Sequence, residues 1–153
     1  MELKTGSAES TLDDKGRISI PVRFREYYQG KLIISVGMEK FIWIMKPSAW
    51  EKLVKNMHKG KEEKTLTQKE WRYFEYKVLG QNDEAELDKA GRINIPHSYR
   101  RYANFTRECL IISSEDRLSL WDYDTYFDYL DKNDDMGQEA MNKLGTPDIF
   151  KAD

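Results

Sequence analysis

The chain has few of the residues on which catalytic and metal centres depend. Its 153 residues include one cysteine, Cys109, and two histidines, His58 and His97. A single thiol cannot form an intramolecular disulfide or supply a typical zinc cluster, so Cys109 in the apolar run CLII is interpreted as a core residue. No nucleophile stands in a recognisable setting, and no phosphate-binding glycine motif is present. We therefore predict neither an enzyme nor a cofactor, metal or small-molecule site.

Long apolar segments and a surplus of positive charge are also missing. No uncharged apolar run approaches the roughly 20 residues that cross a bilayer, and the opening MELKTGSAEST lacks the apolar core of a secretory signal. The formal net charge is -2, which argues against a protein that coats nucleic acid by bulk charge. We expect a cytoplasmic protein without a membrane partner, in which any site for an anion is local.

What the chain does contain is a repeated phrase. LDDKGRISIP at 12–21 returns as LDKAGRINIP at 87–96, identical at seven of ten positions. The likeness continues through two LIIS segments at 32–35 and 110–113, so that it extends over about 45 residues in each half. An internal repeat of this length indicates two similar structural units.

Each half predicts the same order of elements. GRISI and GRINI place isoleucine at every second position, which is typical of a half-buried strand. Pro21 and Pro96 end those strands and suit the first position of a short helix. Two apolar strands that form a hairpin follow, and then a closing helix with Ser48 or Asp124 as its N-cap.

The segment between the halves predicts a joining helix that ends near Gly80, because Thr67 and Glu70 fit a capping box. We expect a mainly β fold with short helices, an α+β class, in which the halves are related by a pseudo-two-fold axis. The chain divides into a first repeat at 5–56, the joining helix at 57–80, a second repeat at 81–133 and a polar, loosely ordered tail at 134–153.

Each copy of the phrase predicts a tight turn that presents an arginine. An aspartate can accept backbone N–H groups there, a glycine can adopt a positive φ, and the arginine offers a planar fork of donors to phosphate or guanine. These residues are Asp13, Gly16 and Arg17 in the first copy and Asp88, Gly91 and Arg92 in the second. With Lys15 and Lys89, the two turns would form one set of contacts to double-stranded DNA.

A purely structural interpretation stays open, since an aspartate could simply clamp the arginine and hold a hairpin. A hairpin does not, however, require the same arginine in both halves. Arg23, Arg25 and Arg100, on the first helix of each repeat, are further candidate DNA contacts, and solvated surface explains them equally well.

The doubled phrase, its spacing and the WRYF segment before the second copy resemble the MraZ family of bacterial transcriptional regulators, over about residues 6–130. The resemblance implies a tandem SpoVT-AbrB-like fold, in which two swapped-hairpin repeats form a β-barrel module. It also implies ring-shaped homo-oligomers that bind short direct repeats ahead of the division and cell-wall gene cluster, in the nucleoid. In the family the arginines of the motif carry DNA binding, and they correspond here to Arg17 and Arg92, with Asp13 and Asp88 as partners.

A function of another class stays open because the two halves differ in charge. The stretch 46–64 is rich in lysine, whereas 122–135 is rich in aspartate. The chain could therefore be an antitoxin-like or other interaction protein of the AbrB superfamily, whose acidic half docks on a basic protein partner.

Overall fold

The computed structural model describes residues 5–145. Its strands are β1 (Gly6–Thr11), β2 (Arg17–Ser19), β3 (Leu32–Val36), β4 (Ile42–Met45), β5 (Asn82–Ala85), β6 (Arg92–Asn94), β7 (Glu108–Ser114) and β8 (Arg117–Asp122). Its helices are α1 (Val22–Arg25), α2 (Pro47–Glu62), α3 (Gln68–Phe74), α4 (His97–Tyr102), α5 (Tyr123–Lys132) and α6 (Asp134–Lys143). A π-helical turn, Glu75–Leu79, continues α3.

The strands form one six-stranded antiparallel sheet, in the order β1-β7-β8-β4-β3-β5, and a two-stranded ribbon of β2 and β6. The first strand of each repeat pairs with the third strand of the other repeat, as β1 with β7 and β5 with β3. Strands β4 and β8 join the two hairpins at the centre of the sheet. Neither half could satisfy its backbone hydrogen bonds alone, so the halves form one folding unit.

The fold is mixed α+β, with antiparallel strands and short helices, but the expected closed barrel is not formed by residues 5–145. Strands β1 and β5 are the outer strands of the sheet, and each has one partner. The ribbon does not connect them, because β2 and β6 pair only with each other apart from an isolated bridge between Leu12 and Ile18. The sheet therefore remains open, and the ribbon lies across the core as a second layer.

The core lies between the ribbon and the sheet. Ile18 and Ile93 lie directly opposite each other in the ribbon, and both are fully buried. They belong to one cluster with Ile34 and Ile111 from the sheet. A fully buried side chain of this size stabilises the folded state by about 1.5–3 kcal/mol, so the central isoleucines form a large part of the core.

The two LIIS segments are not equivalent in the sheet, although they are identical in sequence. Ile34 pairs with Ile44, and Ile111 pairs with Leu120. Ile34 and Ile111 both belong to the core cluster between the ribbon and the sheet, whereas Ile112 is only partly buried and lies outside that cluster, so Ile34 corresponds to Ile111 and not to Ile112. The sequence alignment of LIIS with LIIS is therefore wrong by one residue. A shift of one residue in a strand exchanges its buried and exposed faces.

The joining segment is two helices, not one. Helix α2 continues through Glu62, beyond the expected end of the first repeat at 56, and Lys64 then adopts a φ of 57°. Helix α3 has the predicted capping box: Glu70 N donates to the Thr67 hydroxyl at 3.1 Å, and the Glu70 carboxylate accepts from Thr67 N at 2.8 Å. The π-helical turn that follows α3 ends at Leu79, next to Gly80.

Three details differ from the sequence-based expectations. Helix α2 begins at Pro47 without a side-chain cap, so Ser48 is not its N-cap. Helix α5 is capped by Asp122 and not by Asp124, since the Asp122 carboxylate accepts from Thr125 N at 3.2 Å. Residues Asp134–Lys143, expected to be loosely ordered, form α6, whose acidic first turn and Lys143 in its last turn complement the helix dipole. Residues 146–153 of the expected tail lie outside the described residues. Among residues 5–145, no helix combines the length and apolar character that a membrane span requires.

The one-residue offset between the LIIS segments can be tested by two neighbouring substitutions. Ile111→Ala should lower the free energy of unfolding by about 2–5 kcal/mol, because a fully buried side chain is removed from the core. Ile112→Ala should have a much smaller effect, since Ile112 is only partly buried. Urea unfolding followed by tryptophan fluorescence measures both, and a larger loss for Ile112→Ala would contradict the register.

Candidate nucleic-acid interface

The first turn is built by one carboxylate. Asp13 Oδ1 accepts from the backbone N–H groups of Lys15 and Arg17, each at 2.9 Å. Asp13 Oδ2 accepts from Arg17 Nε at 2.8 Å. Gly16, with a φ of +80°, donates its N–H to the Asp13 carbonyl at 3.0 Å. One aspartate therefore fixes both the backbone of the turn and the direction of the guanidinium.

The second turn repeats this geometry. Asp88 Oδ1 accepts from Ala90 N and Arg92 N, each at 2.9 Å, and Oδ2 accepts from Arg92 Nε at 2.9 Å. Gly91 has a φ of +79° and donates to the Asp88 carbonyl at 2.9 Å. The same local sequence thus gives the same turn in two different places in the fold.

Both carboxylates stay ionised well into the acid range. The backbone N–H of the following arginine is the largest cause that lowers the pKa of Asp13 and of Asp88, and the guanidinium adds to it. The clamps are therefore intact at neutral pH. Arg17 and Arg92 use only Nε in the clamps, and their Nη groups make no hydrogen bond within the described residues. Their side chains are 27% and 35% exposed, so the Nη groups can reach an external acceptor.

The ribbon places the two arginines on one face. Arg17 lies opposite Asn94, and Arg92 lies opposite Ser19. The isoleucines between them are buried, so the arginines, Ser19 and Asn94 point away from the core. Diagonal neighbours in such a pair are roughly 7–8 Å apart. We call Arg17, Ser19, Arg92 and Asn94 the ribbon face. The alternation with isoleucine could have revealed Ser19 and Asn94, which the sequence analysis missed.

Two of the predicted helix arginines are brought to the turns, but each lies on the turn of the other repeat. Arg100 Nε donates to the Ile95 carbonyl at 2.9 Å, and a Cβ on Gly16 would lie 3.1 Å from Arg100 Cζ. Ile95 N in turn donates to the Gly16 carbonyl at 2.8 Å. The absence of a side chain at Gly16 therefore leaves room for Arg100.

The other half shows the same arrangement. Arg25 Nε donates to the Ile20 carbonyl at 2.6 Å, and Ile20 N donates to the Gly91 carbonyl at 2.9 Å. A Cβ on Gly91 would overlap the Arg25 guanidinium. Each turn thus has an arginine of its own and a second arginine from the other repeat.

The remaining predicted residues are placed differently. Arg23 donates to the Ser7 carbonyl of β1 and lies over the Phe24 ring, 4.6 Å from its centroid, so its contacts hold β1 and do not reach a turn. Lys15 and Lys89 are exposed in the turns. They occupy different positions, since Lys15 precedes Gly16 directly whereas Lys89 lies two residues before the second glycine.

Neither a metal-binding cluster nor an exposed thiol is found in the described part of the chain. Within residues 5–145, no group of three or more histidine, cysteine, aspartate or glutamate side chains is placed to hold a metal ion. Cys109 is buried, and burial raises the pKa of its thiol to about 12.

One comparison with known proteins bears on this geometry. A family model described as "MraZ protein, putative antitoxin-like" matches residues 3–72 and 78–144. The two matched segments contain the two turns, the ribbon and all four turn arginines.

The packing of Arg25 on the second turn predicts unequal effects of two glycine substitutions. Gly30→Ala should cost about 1–2 kcal/mol of unfolding free energy, because Gly30 has a φ of +82° with nothing within 4 Å of a new Cβ. Gly91→Ala should cost clearly more, because Arg25 must also leave its place against the Ile20 carbonyl. Urea unfolding gives both values, and equal losses would show that Arg25 does not pack on the turn.

Proposed function

The chain belongs to the MraZ family, and on that premise we propose that it is a sequence-specific DNA-binding transcriptional regulator that reads DNA through its ribbon face. The observation that carries the proposal is the pair of aspartate-clamped arginines, Arg17 and Arg92, at diagonal positions on one face of an antiparallel ribbon. A two-stranded ribbon is an element that the major groove admits, and arginine bound to guanine O6 and N7 is its commonest specific contact.

The clamps favour this function because they order the arginines before DNA arrives. A free arginine loses rotamer freedom when it binds. Here Nε is already held by a carboxylate at 2.8–2.9 Å, while the Nη groups remain available. Arg25 and Arg100, with Nε bound to backbone carbonyls, and the exposed Lys15 and Lys89 are suited to contact phosphates beside the bases.

The acidic chain favours binding by several copies. Affinity for DNA follows the number of phosphates neutralised, and one module of an acidic chain, with a net charge of -2, has only the few cations around its ribbon face for this purpose. We propose a ring-shaped homo-oligomer whose modules engage short direct repeats about 10 bp apart, so that avidity replaces the missing contacts. The resemblance supports the division and cell-wall gene cluster, including the chain's own promoter, as the target in the nucleoid.

The outer helices offer a surface for the neighbouring copy. Helices α2 and α5 each follow the second strand of a hairpin, so they occupy equivalent places in the two repeats. Their exposed charges differ in net sign, although Lys59 lies 4.0 Å from Glu63 and Asp128 lies 2.8 Å from Lys132. The lysines of α2 are Lys52, Lys55 and Lys59, and the aspartates are Asp124, Asp128 and Asp131 on α5, with Asp134 and Asp135 on α6. Head-to-tail contacts between unlike surfaces generate rings when the rotation closes, and these two surfaces attract each other.

A second candidate function uses the same acidic helices. Phe127 and Leu130 are 43% and 47% exposed among the acids of α5, and exposed apolar groups surrounded by charge often mark a protein interaction site. A basic protein could therefore occupy this surface. The description of the family as antitoxin-like favours this candidate.

The DNA-binding proposal is tested by removing each clamped arginine. Arg17→Ala and Arg92→Ala should each weaken binding to a multi-repeat duplex from the chain's own upstream region by roughly 5- to 100-fold for each repeat that is engaged, because every module loses the contact. Arg72→Ala, which removes an exposed arginine of α3, should leave binding unchanged. Fluorescence anisotropy at two salt concentrations, with oligomer mass checked by light scattering, measures this. Wild-type affinity in both turn variants would reduce the turns to structural clamps.

The surface on α5 is tested through the oligomer. Phe127→Ser combined with Leu130→Ser should lower the oligomer mass, because exposed apolar contacts to the next copy are lost. Val22→Ser, which changes an exposed apolar residue of α1, serves as the control. Size-exclusion chromatography with light scattering reads the mass. An unchanged mass in the α5 variant would leave this surface to a basic protein partner.

A further inference from the structure

The two copies of the repeated phrase differ at three positions: Asp14 and Lys89, Lys15 and Ala90, and Ser19 and Asn94. The first two lie in the turns, and the third lies on the ribbon face. From this difference we propose that Asn94 makes the ribbon read DNA in one direction. The inference rests on the proposed DNA-binding function, and it assigns to Asn94 the role of a specificity-determining residue.

Asn94 is the immediate cross-strand neighbour of Arg17. Pairs in an antiparallel ribbon alternate between hydrogen-bonded and non-hydrogen-bonded. Ile95 N donates to the Gly16 carbonyl at 2.8 Å, so the next pair, Arg17 with Asn94, is of the non-hydrogen-bonded type. The Cα atoms of such a pair are about 4.5 Å apart, and their side chains lie closest together.

The same argument places Ser19 beside Arg92. Ile20 N donates to the Gly91 carbonyl at 2.9 Å, and the adjacent pair is Ser19 with Arg92. The ribbon face therefore consists of two couples at pseudo-equivalent places. Each couple has one clamped arginine, but the second member is an amide in one couple and a hydroxyl in the other.

The two second members differ in what they can recognise. The Asn94 side chain is exposed, and its amide makes no hydrogen bond within residues 5–145. A carboxamide offers a donor and an acceptor together, which matches N7 and N6 of adenine. A serine hydroxyl can donate to or accept from a base edge, so it does not select one base. The Arg17–Asn94 couple can thus specify two base pairs, and the Arg92–Ser19 couple only one.

Unequal couples give the ribbon a direction. With identical couples, the base contacts of the ribbon face would be the same after a half-turn about the pseudo-two-fold axis, and only the differing lysines of the turns would distinguish the two orientations. An asparagine on one side favours the orientation that places it against adenine. Direct repeats require every module of an oligomer to lie in the same orientation, so a directional reader suits them.

The test is a base-substitution scan with two variants. Asn94→Ser gives both couples a serine, and the combination of Ser19→Asn with Asn94→Ser exchanges the couples. Duplexes from the chain's own upstream region carry one base change at the same position of every repeat, and competition anisotropy gives the relative affinities. For the wild-type protein, replacing the adenine at one position beside a guanine should lower affinity by roughly 5- to 100-fold for each repeat that is engaged.

Asn94→Ser should abolish that discrimination while preserving the salt dependence of binding. In the exchanged variant, the base discrimination should appear in the opposite half of each DNA repeat. Both substitutions are at exposed positions, and urea unfolding verifies that stability is unchanged. If the wild-type protein binds DNA and both variants keep its base preference, the role of Asn94 is overturned and the proposed function stands. Absence of DNA binding by wild type would overturn the proposed function and this inference together.

Discussion

The antiparallel pairing of β2 with β6, centred on Ile18 and Ile93, is the contact on which the rest of the structure depends. It joins the two repeats at their most similar residues, and it buries one isoleucine from each in the common core. The alternation of a strand then sends Arg17 and Arg92 to the opposite face. The pairing that buries the isoleucines therefore also exposes the arginines. A shift in the β2–β6 register would disrupt both the core and the ribbon face.

Each turn is also in contact with an arginine from the other repeat. Arg25 and Arg100 lie on the turns of the opposite repeats, where Gly16 and Gly91 leave room for them. Their Nε groups are bound to the backbone carbonyls of Ile20 and Ile95, the residues that directly follow the two ribbon strands. The purely structural view of the turn and the DNA-binding view are thus compatible: the aspartates and glycines build the turn, and the arginines have Nη groups beyond what the turn requires.

Local interactions could be predicted from the sequence, and long-range ones could not. The capping box of Thr67 and Glu70 follows from residues three apart, and the aspartate-held turns follow from residues two and four apart. The crossing of Arg25 to the other repeat depends on strand pairing between residues far apart in the chain. The offset between the LIIS segments could not be predicted for a further reason. An alignment places identical residues together, whereas the lengths of the loops and turns set the strand register. The helix at Asp134–Lys143 was missed because its composition is polar and its apolar side chains are few.

Burial explains where the two repeats have diverged. Several positions related by the pseudo-two-fold axis inside the core are apolar in both repeats, as at Ile34 and Ile111 or Ile18 and Ile93, because a polar group there would lose hydration unless it gained a partner. Exposed positions carry no such penalty. The lysines of α2 against the aspartates of α5, and Ser19 against Asn94, are differences of this kind. A symmetric core with an asymmetric surface is what a duplicated unit needs in order to bind unlike neighbours on its two sides, and a DNA site with a direction requires the same asymmetry.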